Sequence, residues 1–415
     1  MRRLFPLAIS LLLPACSAGT VQGGGASDGK PQAPSKPYVT KGPVITGVTQ
    51  REAWIAWETA EKRGQGCGEG PPRLVLQAPG KAPASFEDPR CGTIHHVHLS
   101  DLAPGTAYTF ALDHGNAHGG PVEGRFSTAP ADPNASFRFV VYGDNRDAPW
   151  PMPSTRPAHE AVSGAILSRE PDAAFLVHTG DLALNRPAHH GYQEFFDVER
   201  GLLASRPILP VVGNHEKIEL DEFDALVNAA SFAGAPHPYY GSTDWGGVHF
   251  VIIDTFEEHG LSPEQLRWIE SDVAAAEQAG KLVFAVTHQG PYSHCLKNAS
   301  CHGGLPPKHG RDALVKSLTA HHVAAIFSGH DHYYQRGREG EGCLQYLVVG
   351  GGGAPMYEPT PPGPDAPGVA VSKKLTSYVV VTVKGRAATF EAKGTDGSVI
   401  DSGALAPAAT GPCPP

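Results

Sequence analysis

The sequence predicts an α/β domain preceded by a smaller all-β domain. Its 415 residues are enough for about two or three domains of ordinary size. Its 49 Gly and 39 Pro predict a globular fold rich in loops and exclude a long helical bundle. The apolar pattern changes near Pro133, from short alternating segments to longer apolar runs with helical stretches between them. A Pro-rich tail at residues 403–415 is expected to lie outside both domains.

The first residues have the layout of a secretory signal. A pair of arginines precedes an apolar stretch, residues 4–13, which is too short to span a bilayer as a helix. The stretch leads into Cys16 in a pattern that resembles the bacterial lipobox. We therefore expect a signal peptide at residues 1–15 and a flexible, lipidated tether at residues 16–37, which would anchor an exported protein to a membrane of the cell envelope. A plain signal peptide cleaved nearby is the alternative.

Six of the seven cysteines remain once Cys16 is assigned to lipid, and an even number in an oxidising compartment favours disulfides. A metal site is the alternative, but no Cys-x-x-Cys spacing supports it. We favour pairs between neighbours along the chain, although the sequence itself leaves the other connectivities open. The favoured pairs are Cys67 with Cys91, Cys295 with Cys301, and Cys343 with Cys413.

Residues 38–131 contain short apolar alternations separated by Gly and Pro turns, which predicts a small antiparallel β-sandwich. The segment from Leu102 to Tyr108 resembles the tyrosine corner of fibronectin type III domains, in which the Tyr hydroxyl bonds the backbone. We therefore expect an immunoglobulin-like or fibronectin-like fold here. His96 and His98 share one face of a strand, where a solvent-facing pair is more usual than a metal site.

Residues 134–402 alternate apolar runs with helical stretches, as the strands and helices of an α/β domain do. The clearest helix begins at Pro263, with Ser262 as its N-cap and Gln265 as the partner in a capping box. Another helix is expected over residues 159–169. Buried strands are expected at residues 137–142, 173–178, 208–212, 248–253, 282–286 and 323–327, and later at 345–349, 378–383 and 387–391.

Polar residues suited to binding metal or phosphate follow five of the first six runs. Ligands in open α/β sheets gather beyond the carboxyl ends of strands, so these motifs can converge. Each motif alone is weak, because Gly-Asp and Gly-Asn are common turn dipeptides. Together they predict a metal site, which would supply local positive charge on a chain of formal charge −9. The motifs are Gly143-Asp144-Asn145-Arg146, Gly180-Asp181, Gly213-Asn214-His215-Glu216, Thr287-His288 and Gly329-His330-Asp331-His332.

The order and wording of these motifs resemble those of the calcineurin-like metallophosphoesterases, and the preceding β-domain resembles that of the purple acid phosphatase-like branch. The resemblance covers the chain from about Pro43 to about Thr395. It implies a four-layer β-sandwich flanked by helices, which carries two metal ions bridged by one carboxylate and a hydroxide. It further implies Asp181 as the bridge, Asp144 and His332 as ligands of the first metal, and Asn214, His288 and His330 as ligands of the second.

These residue types suit hydrolysis of a phosphate ester. A carboxylate between two cations lets them acidify a shared water and clamp a phosphoryl group. Oxygen and imidazole ligands without Cys favour two divalent or trivalent ions of Fe, Mn or Zn. His215, beside Asn214, would protonate or hydrogen-bond the leaving oxygen. Arg146 would form a bidentate contact with the phosphoryl group, its alternative being a surface salt bridge.

Two positions depart from the wording of the family. Leu184 stands where purple acid phosphatases carry the Tyr that gives them their colour, so we expect neither a purple colour nor an obligatory ferric ion. Arg146 stands where many other relatives carry an additional His ligand. We therefore expect water, Asn145 or Asn185 to complete the coordination of the first metal.

Three further histidines have weaker assignments. His294 and His302 lie on a Gly/Pro-rich loop, and either is a candidate substrate contact, an ordinary surface histidine being the alternative. His178 lies in an apolar run and is expected to be a hydrogen-bonded core histidine. The resemblance also places the four glycines at 350–353 near the site.

The leading hypothesis is an exported dinuclear-metal phosphoesterase that hydrolyses phosphomonoesters by attack of the metal-bridging hydroxide. One alternative is a phosphodiesterase that uses the same site, and another is a surface-binding lipoprotein with a degenerate metal site. The expected partners are a phosphate-ester substrate and, through the lipid anchor, a membrane. No run of Lys or Arg longer than a pair occurs, so no nucleic-acid binding is predicted.

Overall fold

In a computed structural model of the chain, two large β-sheets follow two smaller ones. The structure describes residues 38–67, 70–113, 121–149, 151–184, 190–218 (190 by its backbone alone), 220–228, 237–256, 260–295, 301, 303–339, 344–360 and 366–407. Several predicted features lie outside the described residues. They are the signal segment, Cys16 and its tether, Asn185, His302, Cys343 and Cys413.

The N-terminal region is built from β-strands, as its alternating pattern predicts. The strands are β1 (Val39–Thr46), β2 (Ala53–Arg63), β3 (Arg73–Gln77), β4 (Ala84–Glu87), β5 (Gly92–Leu99), β6 (Ala107–Asp113) and β7 (Val122–Ser127). They form two antiparallel sheets, of order β1-β2-β5 and β4-β3-β6-β7. Trp57, Leu74 and Phe110 join the sheets in one buried cluster. The Tyr108 hydroxyl accepts a 2.8 Å hydrogen bond from the Ala103 N–H, the geometry expected of a tyrosine corner.

The C-terminal region contains the two large sheets. Its strands are β8 (Ser136–Tyr142), β9 (Ala173–His178), β10 (Ile208–Pro210), β11 (Gly241–Trp245), β12 (Val248–Ile253), β13 (Leu282–Thr287), β14 (Ala325–Ser328), β15 (Tyr334–Arg338), β16 (Gln345–Val349), β17 (Val369–Lys373), β18 (Ser377–Lys384), β19 (Ala387–Gly394) and β20 (Val399–Leu405). A six-stranded sheet has the order β10-β9-β8-β18-β19-β20, and a seven-stranded sheet has the order β11-β12-β13-β14-β16-β15-β17. Within them, β8, β9 and β10 run parallel, as do β12, β13, β14 and β16.

Aromatic side chains lock the two large sheets together. Phe139, on β8, is fully buried, and its ring lies 5.2 Å from that of Phe175 on the same sheet. On the opposing sheet, the Phe250 and Phe284 rings lie 5.2 and 5.9 Å from the Phe139 ring. Burial of one such ring contributes about 1.5–3 kcal/mol. These contacts hold the two sheets together through the middle of β8, β12 and β13.

Helices cover the outer faces of both large sheets. They are α1 (Arg156–Arg169), α2 (His190–Leu203), α3 (Pro263–Gln278) and α4 (Arg311–Ala320). The first two share a buried cluster with the six-stranded sheet, and the last two share one with the seven-stranded sheet. The layers are thus helix, sheet, sheet and helix, as predicted. Across the part of the chain that is described, every helix is too short or too polar to cross a membrane.

The start of α3 follows its prediction with one addition. Ser262 is the N-cap, and its hydroxyl accepts a 3.1 Å hydrogen bond from the Gln265 N–H. The Gln265 side chain, expected in a capping box, reaches Asp254 and bonds both its N–H and its carbonyl at 2.9 Å. Helix α3 is thereby pinned to the residue that follows β12.

The expected boundary of the C-terminal tail was wrong. Strand β20 pairs with β19 and continues to Leu405, which is buried, so the sheet extends past residue 402. The interior of β20 is largely exposed, which removes the apolar pattern by which a buried strand is recognised.

Two of the favoured disulfides are present. Cys67 pairs with Cys91 and Cys295 pairs with Cys301, with Cα atoms 5.7 and 6.4 Å apart. The first joins the segment after β2 to the residue before β5, and the second closes a loop beyond β13. The favoured pair of Cys343 with Cys413 lies outside the described residues.

The N-terminal strands contact the segment that follows Asn214. The Lys41 ammonium is buried, lies 3.1 Å from Glu58 and also pairs with Glu222. His96 was expected to face solvent, but its ring is half-buried and bonds the Ala225 carbonyl at 2.5 Å. His98, on the same face of the strand, is exposed as expected, whereas His96 is covered by the π-helical turn Phe223–Asn228.

Candidate metal centre

The carboxyl ends of five parallel strands bring all five predicted motifs together. Strands β8, β9 and β10 of the six-stranded sheet end just before Asp144, Asp181 and Asn214. Strands β13 and β14 of the seven-stranded sheet end just before His288 and the turn 330–332. One sheet therefore supplies the oxygen ligands of the predicted site, and the other supplies the imidazoles.

Four potential ligand atoms converge on the side of Asn214. Asn214 Oδ1 lies 3.2 Å from His288 Nε2 and 3.0 Å from His330 Nδ1, and these two nitrogens are 3.3 Å apart. His288 Nε2 also lies 3.3 Å from Asp181 Oδ1. A cation about 2.0–2.1 Å from each of four tetrahedral ligands requires ligand atoms about 3.3 Å apart. The spacing among Asn214, His288 and His330 fits a cation held by these three side chains, and Asp181 adjoins that group through its contact with His288.

Asp144, Asp181 and His332 form a second group, whose ligand atoms all lie within 4.8 Å of one another. His332 Nε2 lies 3.5 Å from Asp144 Oδ1. Among the described residues this nitrogen is buried and has no hydrogen-bond partner. Because burial of an unpaired polar atom is costly, a bound cation is the natural partner. Asp181 belongs to both groups, as a bridging ligand must.

Hydrogen bonds behind the imidazoles fix which nitrogen faces each group. His288 Nδ1 donates to the Thr179 carbonyl at 2.7 Å, and His332 Nδ1 donates to the Pro355 carbonyl at 2.7 Å. Each bond leaves Nε2 as the ring nitrogen that faces the neighbouring ligands. Such outer bonds orient metal-binding histidines and set their tautomer.

The backbone at three of the predicted ligands is strained. Asp144, Asp181 and His330 have φ angles of 61°, 55° and 71°, and each directly follows a glycine. Positive φ at a residue other than glycine costs free energy and is concentrated at functional sites. At Gly180, which has φ +96°, a Cβ atom would lie 2.6 Å from His288 Nδ1, so only glycine fits beside this ligand.

Glu216 has a structural function that the sequence analysis missed. Its carboxylate is buried and accepts hydrogen bonds from the N–H groups of Asp181 at 2.9 Å, Leu182 at 2.9 Å and Gly213 at 2.8 Å. These bonds tie the loop after β9 to the loop after β10. Burial and the nearby charge of Asp181 raise the pKa of Glu216 to about 7. The signal for Glu216 in the sequence was its position in the motif Gly213-Asn214-His215-Glu216, which follows a predicted strand.

Asn145, expected as a further metal ligand, has another use. Its Oδ1 accepts a 2.6 Å hydrogen bond from His178 Nε2, and its Nδ2 donates to the Gly352 carbonyl at 3.0 Å. His178 Nδ1 accepts the Gly180 N–H at 3.2 Å, and burial lowers the pKa of His178 to about 3, so this ring is neutral. Both ends of the amide are engaged, so Asn145 orients the loops and His178 is the core histidine that was expected.

The glycines at 350–353 lie against the site, as the resemblance implied. The Gly352 N–H donates to the Gly143 carbonyl, and the Ala354 N–H donates to the Asp144 carbonyl, both at 2.9 Å. A Cβ atom on Gly352 would lie 2.1 Å from the Gly143 carbonyl oxygen, so only glycine fits against the first motif here. The loop therefore closes one wall around Asp144.

His215 and Arg146 both approach the predicted bridge. His215 Nε2 lies 3.7 Å from Asp181 Oδ2, and Arg146 Nε lies 3.6 Å from the same oxygen. The Arg146 Nη2 donates to the Tyr357 hydroxyl at 3.4 Å. Their side chains are 20% and 11% exposed, so both line the side of the site that is open to solvent. The surface salt bridge considered for Arg146 is thus excluded.

The protein charges at the site are tightly interdependent. Burial raises the pKa of Asp144 well above its ordinary value. Burial acts in the same direction on Asp181, but the adjacent His288 holds the pKa of Asp181 well below its ordinary value. Burial disfavours protonation of His288, yet Asp181 outweighs it and raises the pKa of His288 to about 9. Cations that replace the protons on these groups would make metal binding dependent on pH.

His294 contacts Thr360, which is not one of the predicted ligands. Its Nδ1 bonds the Thr360 hydroxyl at 2.7 Å. The next residue along the chain, Cys295, forms the disulfide with Cys301. Cys301 Sγ lies 3.4 Å from Asp331 Oδ1, which places the disulfide behind the turn 330–332. These two cysteines and Asp331 have spacing suited to a metal, but the bond between the sulfurs removes both thiolates.

Comparison with known proteins agrees with this geometry. The calcineurin-like phosphoesterase family model matches residues 137–334. Purple acid phosphatase 15 of Arabidopsis thaliana is 24% identical over 304 residues, which cover 63% of this chain and 54% of the relative. The chain therefore spans about half the length of the curated relatives it matches.

Solved structures share the fold. Purple acid phosphatase PPD1 from seeds of yellow lupin (Lupinus luteus) aligns with a TM-score of 0.69 at 20% identity, over 88% of this chain and 74% of that one. PhoD aligns with a TM-score of 0.60 at 12% identity, over 87% of each chain. Residues 137–334 thus match the calcineurin-like phosphoesterase family, and purple acid phosphatases are among the proteins to which the chain is similar in sequence and in fold.

Proposed function

We propose that this protein is an exported, metal-dependent phosphatase that hydrolyses phosphomonoesters. One observation carries the proposal: Asp181 belongs to two adjoining ligand groups. In addition, His215 Nε2 and Arg146 Nε lie 3.7 and 3.6 Å from Asp181 Oδ2. A carboxylate shared by two cation positions, with an acid and an arginine beside it, suits phosphoryl transfer to water. The similarity to purple acid phosphatases supports the same reaction class.

Each group has a chemical task in this proposal. Two bound cations supply a water of lowered pKa and offset the charge of the phosphoryl group. Asp181 holds both cation positions together. Arg146 directs its fork of N–H donors at the phosphoryl oxygens. His215 holds a proton at Nε2 and donates it to the leaving oxygen.

The charge of the site favours monoesters over diesters. A phosphomonoester dianion carries more negative charge than a diester, and it presents more unesterified oxygens to Arg146 and the two cation positions. Aromatic rings limit access of water nearby: Phe256 lies 5.5 Å from the rings of His288 and His330, and Tyr357 stacks 4.1 Å from the ring of His332. A drier site strengthens these charge interactions.

We further propose export, with lipidation at Cys16. The two disulfides support an oxidising compartment, in which such bonds persist. The Tyr108 corner and the two small sheets support a fibronectin type III-like class for the N-terminal region. Replacement of Cys16 by Ser should release the protein from the membrane fraction, whereas retention of the variant there would contradict the anchor.

The test of the activity uses the purified full-length chain with Mn²⁺, Fe²⁺ or Zn²⁺. Hydrolysis of p-nitrophenyl phosphate is compared with that of bis-p-nitrophenyl phosphate. We expect preference for the monoester and a loss of more than about 100-fold in Asp181→Asn, because loss of an outer-shell partner alone costs about 10–100-fold. His215→Ala should lose activity at unchanged metal content, by about 10²–10⁴-fold for a general acid.

Matched controls separate the site from general effects of substitution. Asp172→Asn, whose side chain is 60% exposed, and His98→Ala, whose side chain is 39% exposed, should both retain activity. Preference for the diester would favour the phosphodiesterase alternative. Metal binding without hydrolysis of either ester would overturn the proposal in favour of a binding protein.

A further inference from the structure

Among the described residues, four large apolar side chains are exposed, and two of them lie on loops that carry functional residues of the candidate centre. Met152 and Ile218 are 50% and 67% exposed. Leu167 and Val399 are 42% and 51% exposed and lie on α1 and β20. Because apolar surface next to a binding site is a place where a ligand can exclude water, the first pair bears on the choice of substrate.

Ile218 ends a 3₁₀ turn that begins directly after His215. The turn spans Glu216–Ile218, and its first residue is buried while its last is exposed. Three residues of chain span at most about 10–11 Å, so the Ile218 backbone lies within that distance of His215. His215 is the proposed donor to the leaving oxygen, so the leaving group lies on the side of the site that bears this turn.

Lys217, between His215 and Ile218, has its charge taken up inside the protein. Its ammonium lies 2.6 Å from the carboxylate of Asp254, which is fully buried. The same carboxylate accepts the Phe256 N–H at 2.9 Å. One buried group thus neutralises the cation beside the proposed acid and ties the turn of Ile218 to the loop that carries Phe256.

Met152 lies on the loop that follows Arg146. Asp147 Oδ1 accepts the Thr155 N–H at 2.5 Å, so the loop returns to the residue next to Arg146. Met152 is three residues from Thr155, and the length of that chain keeps it within about 10–11 Å of this closure. Since Arg146 and His215 approach the same oxygen of the predicted bridge, both exposed apolar side chains belong to loops that meet there.

We propose that Met152, Ile218 and the half-buried Phe256 form an apolar rim that selects phosphomonoesters with an apolar leaving group. This inference rests on the proposed phosphatase function and names its substrate class. With the ester oxygen at His215, an apolar leaving group removes exposed side chains of the rim from water. A hydroxylated leaving group gains less from the same contact. An aryl ring and an alkyl chain both supply the required chemistry.

The test compares kcat/KM within pairs of esters that have the same shape and leaving groups of similar acidity. The alkyl pair is n-hexyl phosphate with 5-hydroxypentyl phosphate. The aryl pair is 4-propylphenyl phosphate with 4-(2-hydroxyethyl)phenyl phosphate. The full-length chain should prefer the apolar member by about tenfold, the order of discrimination that an apolar pocket provides. Preference in the alkyl pair alone identifies a chain as the leaving group, and preference in the aryl pair alone identifies a ring.

Substitutions in the rim should act on one member of each pair. Ile218→Ser and Met152→Ser should each lower kcat/KM for the apolar ester by about threefold to tenfold and leave the hydroxylated ester nearly unchanged. Ile218→Val should retain the preference. The matched controls Leu167→Ser and Val399→Ser, at exposed apolar positions on α1 and β20, should change neither ester.

Equal rates within both wild-type pairs would overturn the inference, and so would equal losses on both members in Ile218→Ser and Met152→Ser. Calorimetric binding of n-hexylphosphonate and 5-hydroxypentylphosphonate tests the rim without catalysis. Tighter binding of the hexyl compound, lost in Ile218→Ser, supports the rim even if no ester is hydrolysed, in which case only the proposed phosphatase function fails. Equal binding of the two phosphonates would overturn the rim.

Discussion

The two large sheets differ in what they bring to the site. The six-stranded sheet carries Asp144, Asp181 and Asn214, which offer oxygen atoms, at the ends of β8, β9 and β10. The seven-stranded sheet carries His288 and the turn 330–332, which offer imidazole nitrogens, at the ends of β13 and β14. The predicted ligand set therefore draws on both sheets, and the candidate centre lies where the two sheets meet.

The two halves are also fixed in different ways. On the oxygen side, backbone N–H groups are gathered by the buried Glu216 carboxylate, and Asp144 and Asp181 adopt positive φ angles. On the imidazole side, the rings of His288 and His332 are oriented by backbone carbonyls. Strained backbone occurs on both sides, since His330 also has a positive φ angle, but a buried side chain holds the loops of the oxygen side, whereas backbone carbonyls hold the rings of His288 and His332.

The largest expected effect comes from separating the sheets. Phe139→Ala removes the ring that contacts Phe250 and Phe284 across the interface, and such deletions cost about 3–5 kcal/mol of unfolding free energy. Metal affinity should fall together with stability, because the two sheets would no longer hold their candidate ligands at the observed spacing. Denaturant unfolding checks the first effect and dialysis with Mn²⁺ checks the second. Leu167→Ala, at an exposed position, should change neither.

Glu216→Gln should disturb the oxygen side alone. An amide presents its own N–H groups to the donors of Asp181, Leu182 and Gly213, so at least one of these bonds becomes a repulsion. Metal affinity should fall by about 10–100-fold, as for other outer-shell partners. Glu160→Gln, in an exposed ion pair on α1, is the matched control. Unchanged affinity in Glu216→Gln would show that the loops hold their geometry without it.

The smallest expected effect concerns stability of the seven-stranded sheet away from the site. His249 bonds Asp244 at 2.7 Å and Asp272 at 2.8 Å, and Lys281 pairs with Asp244 at 2.5 Å. Burial opposes protonation, but the bonds to the two carboxylates outweigh it and raise the pKa of His249 above its ordinary 6.5. Folding therefore favours the protonated ring.

A raised pKa in the folded state fixes the sign of the pH dependence. The stabilisation by His249 should be complete below about pH 6.5 and should be lost as pH rises through the higher pKa of the folded state. His249→Asn should therefore cost about 1–3 kcal/mol of unfolding free energy at pH 6 and less at pH 9. Denaturant unfolding at both values measures the difference. An equal cost at both pH values would show that the protonated ring of His249 does not stabilise the fold.

The sequence was sufficient to predict that the candidate ligands gather at one place, because each follows an apolar run that forms a strand, and parallel strands place their ends together. His215 and Arg146 were predictable for the same reason, since each lies within two residues of a ligand. Their shared contact with Asp181 Oδ2 was not, because it depends on how two loops from different strands fold over one carboxylate.

Other features required three-dimensional information. The tie between Gln265 and Asp254 joins a helix start to a strand end, and no local pattern encodes it. Asn145 has the chemistry of a ligand, and only its bonds to His178 and Gly352 show that its amide is occupied. Strand β20 lacks an apolar pattern because it is an edge strand with most of its side chains exposed.

The most direct test of the shared centre is an anomalous difference map from crystals of the full-length chain saturated with Mn²⁺. Two peaks are expected, about 3.5–4 Å apart. One should lie within bonding distance of Asn214, His288 and His330, the other within bonding distance of Asp144 and His332, and Asp181 should bond both. A map at saturation with no peak between the sheets, or with peaks that Asp181 does not bridge, would contradict the account.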